Sequence, residues 1–179
     1  MLDVIILNGG SSSGKTTIAK CLQNSLPTSW LRFSIDDLID AMPDAMFSAD
    51  SGIKFDSDGS VSPGAEFRTI ESAWMHGIAE MVRRGAKVII DDVFISGIDA
   101  YNRWQVSLEG LQVLWVGVFC DPAVATAREN KRGDRVAGMA VSQANVVHVG
   151  MNYDIEVDTS DASPEECARI VAQRINQEG

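Results

Sequence analysis

The sequence predicts a three-layer α/β domain built on a parallel sheet of about five strands, and three observations carry that prediction. Strand-like and helix-like segments alternate along the whole chain. The first apolar run, Val4 to Leu7, is unbroken, as a strand covered on both faces must be. A glycine-rich turn follows that run directly and opens an amphipathic helix. Such alternation implies right-handed crossovers between parallel strands. The 179 residues suit one domain over 1–179, long enough to bury a core.

Each element has its own signal. After Val4–Leu7 comes a helix over Lys15–Leu26, with Ile18, Leu22 and Leu26 at helical spacing and Pro27 as its stop. Leu31, Phe33 and Ile35 alternate with polar neighbours as a second strand, and Asp37 to Met42 reads as a short helix ended by Pro43. Residues Asp44 to Ala65 carry Gly, Ser, Asp and Pro without a period. A long loop of this kind suits a functional, acceptor-side role. From Glu66 a helix returns, with Phe67, Ile70, Trp74, Ile78 and Met81 in one stripe and Gly85 as its C-cap. A strand from Lys87 to Ile90, a helix from Tyr101 to Leu108 and an apolar strand from Val113 to Cys120 follow. Asp121 and Pro122 supply an N-cap and N1 for the next helix. The last strand is Ile155–Val157, and Ser163 to Glu166 open the final helix as a capping box, with Ile170, Val171 and Ile175 facing inward.

Composition excludes several classes. Fifteen basic against 25 acidic residues give a net charge of −10, which disfavours nucleic acid and anionic lipid as partners. No apolar run reaches the roughly 20 residues of a membrane span. The first residues, with an acid rather than a basic start, make a poor signal peptide and a good strand. Cys21, Cys120 and Cys167 are odd in number and far apart, and are expected as buried, reduced thiols of a cytoplasmic protein. A homo-oligomer is compatible with all of this.

The residues that carry chemistry begin at Gly9-Gly10-Ser11-Ser12-Ser13-Gly14-Lys15-Thr16, a full match to G-x-x-x-x-G-K-[ST] between strand and helix. Such glycines let successive N–H groups converge on phosphate, and the helix N-terminus adds positive potential. Lys15 is expected to bridge the β- and γ-phosphates of ATP and Thr16 to hold Mg²⁺, with Gly9 to Thr17 as the nucleotide site. Asp91 and Asp92 end a strand where a second magnesium-side carboxylate is expected, and either could serve. Asp36 and Asp37 follow the second strand. Asp36 is expected to accept the proton of the hydroxyl being phosphorylated, and Asp37, at the N-cap or N1 position, to serve the helix.

Arg128, Lys131, Arg132 and Arg135 place four of the 15 basic residues within eight positions. On so acidic a chain this is the reversed field a nucleotide needs, so Arg128 and Arg132 are expected to bind it, and Arg132 and Arg135 to stabilise the transferring group. Gly133 and Gly138 would let 128–140 move as a lid. The run Asn130 to Asp134 places its aspartate one position too late for the guanine motif N-K-x-D. Met42, Met46, Phe47, Phe55, Phe94 and Trp104 could line an apolar acceptor pocket. Asp158 to Ser160 could meet the adenine, and His76 and His148 read as structural.

Several of these blocks together resemble the chloramphenicol phosphotransferases, antibiotic-modifying members of the P-loop kinases. The resemblance runs from about Ile5 to Val171. It is carried by ILNGGSSSGKT, by Phe33 to Asp36, by DAMP at Asp40 to Pro43, by IIDDVF at Ile89 to Phe94, by VLWVGVFCD at Val113 to Asp121, and by RGDRVAGMA at Arg132 to Ala140. It implies an adenylate-kinase-like fold and transfer of the ATP γ-phosphate to a primary hydroxyl of chloramphenicol. It further implies that Asp36 is the base and that Arg132 and Arg135 belong to the lid. Zeta-type toxin kinases are similar in layout. A kinase for another metabolite or nucleotide sugar, or a nucleotide-binding regulator, therefore stays open at this point.

Overall fold

Strand β1 (Val4–Asn8) is buried over its whole length, and its alternating side chains feed two different cores. Ile5 and Leu7 point to one face of the sheet and Val4 and Ile6 to the other, so the unbroken apolar run is the signature of a strand with helices on both sides. The computed structural model describes residues 2–56, 58–132, 138–144 and 146–177, without the Arg132 side chain.

Around β1 the chain adds α1 (Lys15–Ser25), β2 (Trp30–Ser34), α2 (Ile35–Asp40), β3 (Ile53–Phe55), β4 (Val61–Pro63), α3 (Ala65–Arg83), β5 (Lys87–Asp92) and α4 (Ile98–Ser107). It continues with β6 (Val113–Phe119), α5 (Pro122–Arg132), α6 (Met139–Ala144), β7 (Ile155–Asp158) and α7 (Pro164–Gln177). The main sheet has five strands in the order β2-β5-β1-β6-β7, all parallel. Helices α1 and α7 cover the face of Ile5 and Leu7. Helices α3 and α4 cover the face of Val4 and Ile6, where Phe94 and Trp104 fill the centre. The expected three layers and five strands are present. Because β5 and β6 flank β1 on opposite sides, the connections diverge there, and the crevice beyond the C-terminal strand ends opens at that point.

The structure differs from the sequence reading in several places, each for a local reason. The second strand ends at Ser34, and the following helix begins at Ile35 instead of Asp37. Ser34 is its N-cap: its hydroxyl accepts from Asp37 N–H at 3.2 Å while Asp37 Oδ2 accepts from Ser34 N–H at 2.6 Å. Asp37 thus serves the helix as its third residue, and Asp36 stands in the first turn. The aperiodic stretch after Pro43 holds a 3-10 turn (Asp44–Phe47) and the antiparallel hairpin β3–β4, whose Ile53 packs with Met46 and Phe67 in a small separate core. Helix α4 starts at Ile98, not Tyr101.

On α3 the buried stripe is Phe67, Glu71, Met75, Ile78 and Val82, rotated from the expected one, so Ile70, Trp74 and Met81 lie at its margin. Its centre holds a carboxylate, which hydropathy alone would never place there. Of the three thiols only Cys167 is buried; Cys21 and Cys120 are half-exposed, and all three are free. Among the described residues no helix is long and apolar enough to cross a membrane.

Candidate active site

The loop from Gly9 to Gly14 is shaped by its backbone. Gly14 has φ +93° and Ser12 φ +59°, left-handed values that curl the chain before α1. A Cβ on Gly9 would stand 2.4 Å from the Val118 carbonyl oxygen, so the loop sits too close to β6 for any side chain there. Gly14, at the N-cap position, gives α1 no side-chain acceptor, which leaves the helix N-terminus to another partner. The hydroxyl oxygens of Ser11, Ser12 and Ser13 are buried and have no hydrogen-bond partner. A buried cradle of donors that the protein does not itself satisfy fits an oxyanion-rich group such as a nucleotide triphosphate.

Lys15 is 6% exposed, and its Nζ donates to the Gly10 carbonyl at 2.8 Å, which holds the ammonium over the loop. Thr16 Oγ1 donates to Asp91 Oδ2 at 2.6 Å. A hydroxyl and a carboxylate in contact beside a phosphate cradle fit Mg²⁺, which is typically held by one or two protein oxygens plus water and substrate phosphates. Among the described residues no cluster of three or more His, Cys, Asp or Glu is shaped for a metal.

Asp92 behaves differently. Its Oδ2 accepts from the Trp104 indole N–H at 2.7 Å and its Oδ1 from the Val93 N–H at 2.6 Å. Burial pushes its carboxyl up to about 6, against the lowering effect of those two bonds and with a further push from the charges of Glu71 and Asp91. Strand parity explains the division: Asp91 shares the face of Ile89, toward α1, and Asp92 that of Ile90, toward α4.

A cavity of about 490 Å³ runs from this loop across the strand ends. Ser11, Ser12, Gly14, Lys15, Thr16 and Thr17 line one end, Asp91 and Asp92 its floor, and Asp36 and Asp40 a wall. Ile35, Ile39, Ile53, Phe55 and Val61 supply apolar surface, and Glu71, Ser96 and Arg103 close the far end. Of the six residues expected to form an apolar acceptor pocket, only Phe55 lines it. Phe94 and Trp104 are wholly buried in the central core, Met46 in the small one with Met42 at its margin, and Phe47 stacks loosely on Phe55 from outside.

A second cavity of about 380 Å³ lies on the other side of the loop, between Gly10, Phe119, Pro122, His148, Asp158 and Ser160. Arg128 reaches the turn after β7: it donates to Thr159 Oγ1 at 3.0 Å and to the Thr159 carbonyl at 2.7 Å. Thr159 in turn donates to the Ser13 carbonyl at 2.8 Å, which ties that turn to the loop. Arg135 lies outside the described residues, as do the Arg132 side chain and Gly133.

Two arrangements had no signal in the sequence reading. Gln143 of α6, itself buried, accepts from the Ser11 N–H at 2.8 Å through its side-chain oxygen. His148 stacks on Phe119 at 3.9 Å and faces the Tyr153 hydroxyl at 2.8 Å, which also accepts from Asn8 Nδ2 at 2.6 Å. Burial, and secondarily the charge of Lys15, lowers the His148 pKa to about 4, so the ring is neutral. The Gln143–Ser11 and Asn8–Tyr153 contacts join segments more than a hundred residues apart, and no local pattern marks either of them. His76, by contrast, is exposed and meets the Ser72 carbonyl of its own helix.

A five-stranded parallel sheet whose first strand runs through this glycine loop into α1, with helices on both faces, defines a P-loop kinase fold. Solved structures agree. A sugar kinase from Janibacter sp. superposes with TM-score 0.69 at 17% identity, covering 98% of this chain and 95% of that one. The APS kinase of Mycobacterium tuberculosis, in complex with AMPPNP and APS, superposes with TM-score 0.63 at 14% identity, covering 98% of each chain. Within that fold, the family described as chloramphenicol phosphotransferase-like protein matches residues 2–176, and the chain belongs to it. A Mycobacterium tuberculosis protein whose name proposes an O-phosphotransferase is 30% identical over 184 residues, spanning 93% of this chain and 79% of that protein.

Proposed function

We propose that the protein is an ATP-dependent O-phosphotransferase acting on a hydroxyl of a small molecule, with the primary hydroxyl of chloramphenicol as the acceptor that the family likeness favours. The observation that carries this reading is that Asp36 and the loop residues Lys15 and Thr16 line one cavity.

In this reading the acceptor oxygen attacks the γ-phosphorus, the bond from that phosphorus to the β,γ-bridging oxygen breaks, and ADP leaves. Asp36 takes the hydroxyl proton. Lys15 exchanges its bond to Gly10 for the β- and γ-phosphate oxygens, and the N–H groups at the start of α1 hold the triphosphate. Thr16 and Asp91 would hold Mg²⁺, which supplies charge neutralisation across the phosphates when bound. Asp92 keeps Trp104 and the end of β5 in place. Arg128, Arg132 and Arg135 complete the nucleotide side, the last two spreading negative charge during transfer. The apolar wall and the 490 Å³ volume suit a small acceptor and exclude water that would otherwise receive the phosphoryl group.

The test is transfer of label from γ-labelled ATP, with magnesium, to chloramphenicol, with the product identified by mass spectrometry. A monophosphorylated drug is expected. Bound ATP with no labelled product at saturating drug would overturn the acceptor, and absence of ATP binding would overturn the phosphotransferase reading itself.

A further inference from the structure

The far end of the cavity holds a polar cluster that neither the phosphate cradle nor the base explains. Arg68 Nη1 donates to both oxygens of the buried Glu71, at 2.9 and 2.8 Å, and Arg68 Nη2 donates to Ser96 Oγ at 3.1 Å. Arg103 Nη2 donates to the same Ser96 oxygen at 3.2 Å. Arg103 Nε lies 3.2 Å from Glu71 Oε2, an ion-pair distance. Its N–H is not aimed at that oxygen, however, and this buried nitrogen has no hydrogen-bond partner.

Counting donors and acceptors shows what the cluster lacks. Both oxygens of Glu71 are engaged by Arg68, and both oxygens of Asp92, on the floor nearby, are engaged by Trp104 and the Val93 N–H. Ser96 Oγ receives two guanidinium donors, which occupy its acceptor capacity and leave its own proton to be donated. Among the described residues no acceptor meets that proton or the Arg103 Nε–H. Glu71 and Arg68 neutralise one another in a bidentate pair, which leaves Arg103 as the basic group and Asp92, already engaged by Trp104 and the Val93 N–H, as the acidic one. Ser96, Arg103 and Glu71 line the same cavity as Asp36. The complement to this surface is a planar group that only accepts hydrogen bonds through two oxygens, since a guanidinium presents its N–H groups in one plane.

We propose that Arg103 and Ser96, braced by the Arg68–Glu71 pair, form a recognition subsite for a planar two-oxygen group on the acceptor, either the carboxylate of a hydroxy acid or the nitro group of a nitroaromatic alcohol. The term acceptor rests on the phosphotransferase reading; the subsite itself does not. Arg103 and Ser96 set which molecule presents its hydroxyl to Asp36, and the apolar wall between the two ends fits the carbon frame that separates them.

Three para-substituted benzyl alcohols test this, carrying a carboxylate, a nitro group, or an isopropyl group of similar shape without acceptors. Their affinities are measured by calorimetry on the full chain, with and without AMPPNP. The expected result is that at least one oxygen-bearing probe binds roughly tenfold or more tighter than the isopropyl probe. Arg103→Met erases that preference and leaves isopropyl affinity unchanged. Ser96→Ala reduces it severalfold and guards against an Arg103→Met protein that folds poorly, which thermal melting checks. Carboxylate above nitro assigns hydroxy acids, and nitro at or above carboxylate assigns nitroaromatic alcohols. No binding of either oxygen-bearing probe, a preference for isopropyl, or a preference that survives both substitutions overturns the subsite. AMPPNP binding is read in a separate titration, so a failed nucleotide site and a failed acceptor subsite give different results.

Discussion

The two ends of the main cavity are built on different principles. At the phosphate end, the surface comes from six residues of one continuous segment, Gly9 to Thr17, and most of the shape is backbone fixed by left-handed turns and by close approach to β6. At the acceptor end, α2, the β3–β4 hairpin, α3, the β5–α4 connection and α4 each lend between two and four residues. A backbone surface reads charge and is hard to alter by substitution. A side-chain surface reads shape and hydrogen-bond pattern and changes with single residues. The first therefore fits a donor common to many kinases, and the second an acceptor that differs among them.

Substitutions can break this contrast or sharpen it. The largest effect is expected for Lys15→Ala, which removes the only side-chain charge of the loop: turnover falls by roughly 10³-fold, whatever acceptor is supplied. Steady-state kinetics check it, and turnover near wild type would remove Lys15 from the mechanism. Asp36→Asn comes next, with kcat lowered by roughly 10²-fold and nucleotide affinity retained, because it removes the base while keeping the shape of the side chain. Parallel ATP titration and kinetics separate the two quantities. If nucleotide binding falls together with kcat, the two ends are not separable as described.

Smaller effects probe the frame beneath both ends. Trp104→Phe keeps an aromatic ring but leaves a small cavity and removes the indole N–H that Asp92 accepts. A loss of about 1–3 kcal/mol in urea unfolding is expected, with the Thr16–Asp91 pair untouched. An equal loss of magnesium-dependent activity would show instead that Asp92 works at the metal side. The smallest effect is a pH dependence at His148. Its folded pKa of about 4 lies below the ordinary 6.5, so the unfolded chain binds the proton more readily. Its contribution is complete above about pH 6.5 and is lost as pH falls toward 4. After allowance for partial exposure, the loss is about 1 kcal/mol. His148→Gln should show a shallower fall in stability across that window, and parallel curves for the two proteins would remove His148 from acid lability.

How much of this was legible in the chain depended on distance along it. Strand β1, the glycine loop and α1 are contiguous, so spacing and hydropathy place them, and the capping box at Ser163 is as local. The start of α2 was misplaced by two residues because Ile35 continues the alternation of the strand before it. Ser34, two positions ahead of the expected cap, outcompetes that alternation by closing a capping box with Asp37. The buried stripe on α3 departs from the expected one because Glu71, a charged residue, lies at its centre, where Arg68 and Arg103 pair with it. The aromatic residues expected around the acceptor were taken by the core, since Phe94 and Trp104 face inward from the end of β5 and from α4.

The chain alone determined the alternation of strands and helices, the phosphate loop with Lys15 and Thr16, and the placement of acidic residues at strand ends. These rest on backbone geometry and periodicity, which neighbouring residues specify. Only the tertiary structure decided that Asp91 meets Thr16 while Asp92 turns to Trp104, that Asp36 shares a cavity with the loop, and that Arg103 and Ser96 face it from the far end. Adjacent strand residues point to opposite faces, and which helix covers each face is set by the register and crossovers of the whole sheet.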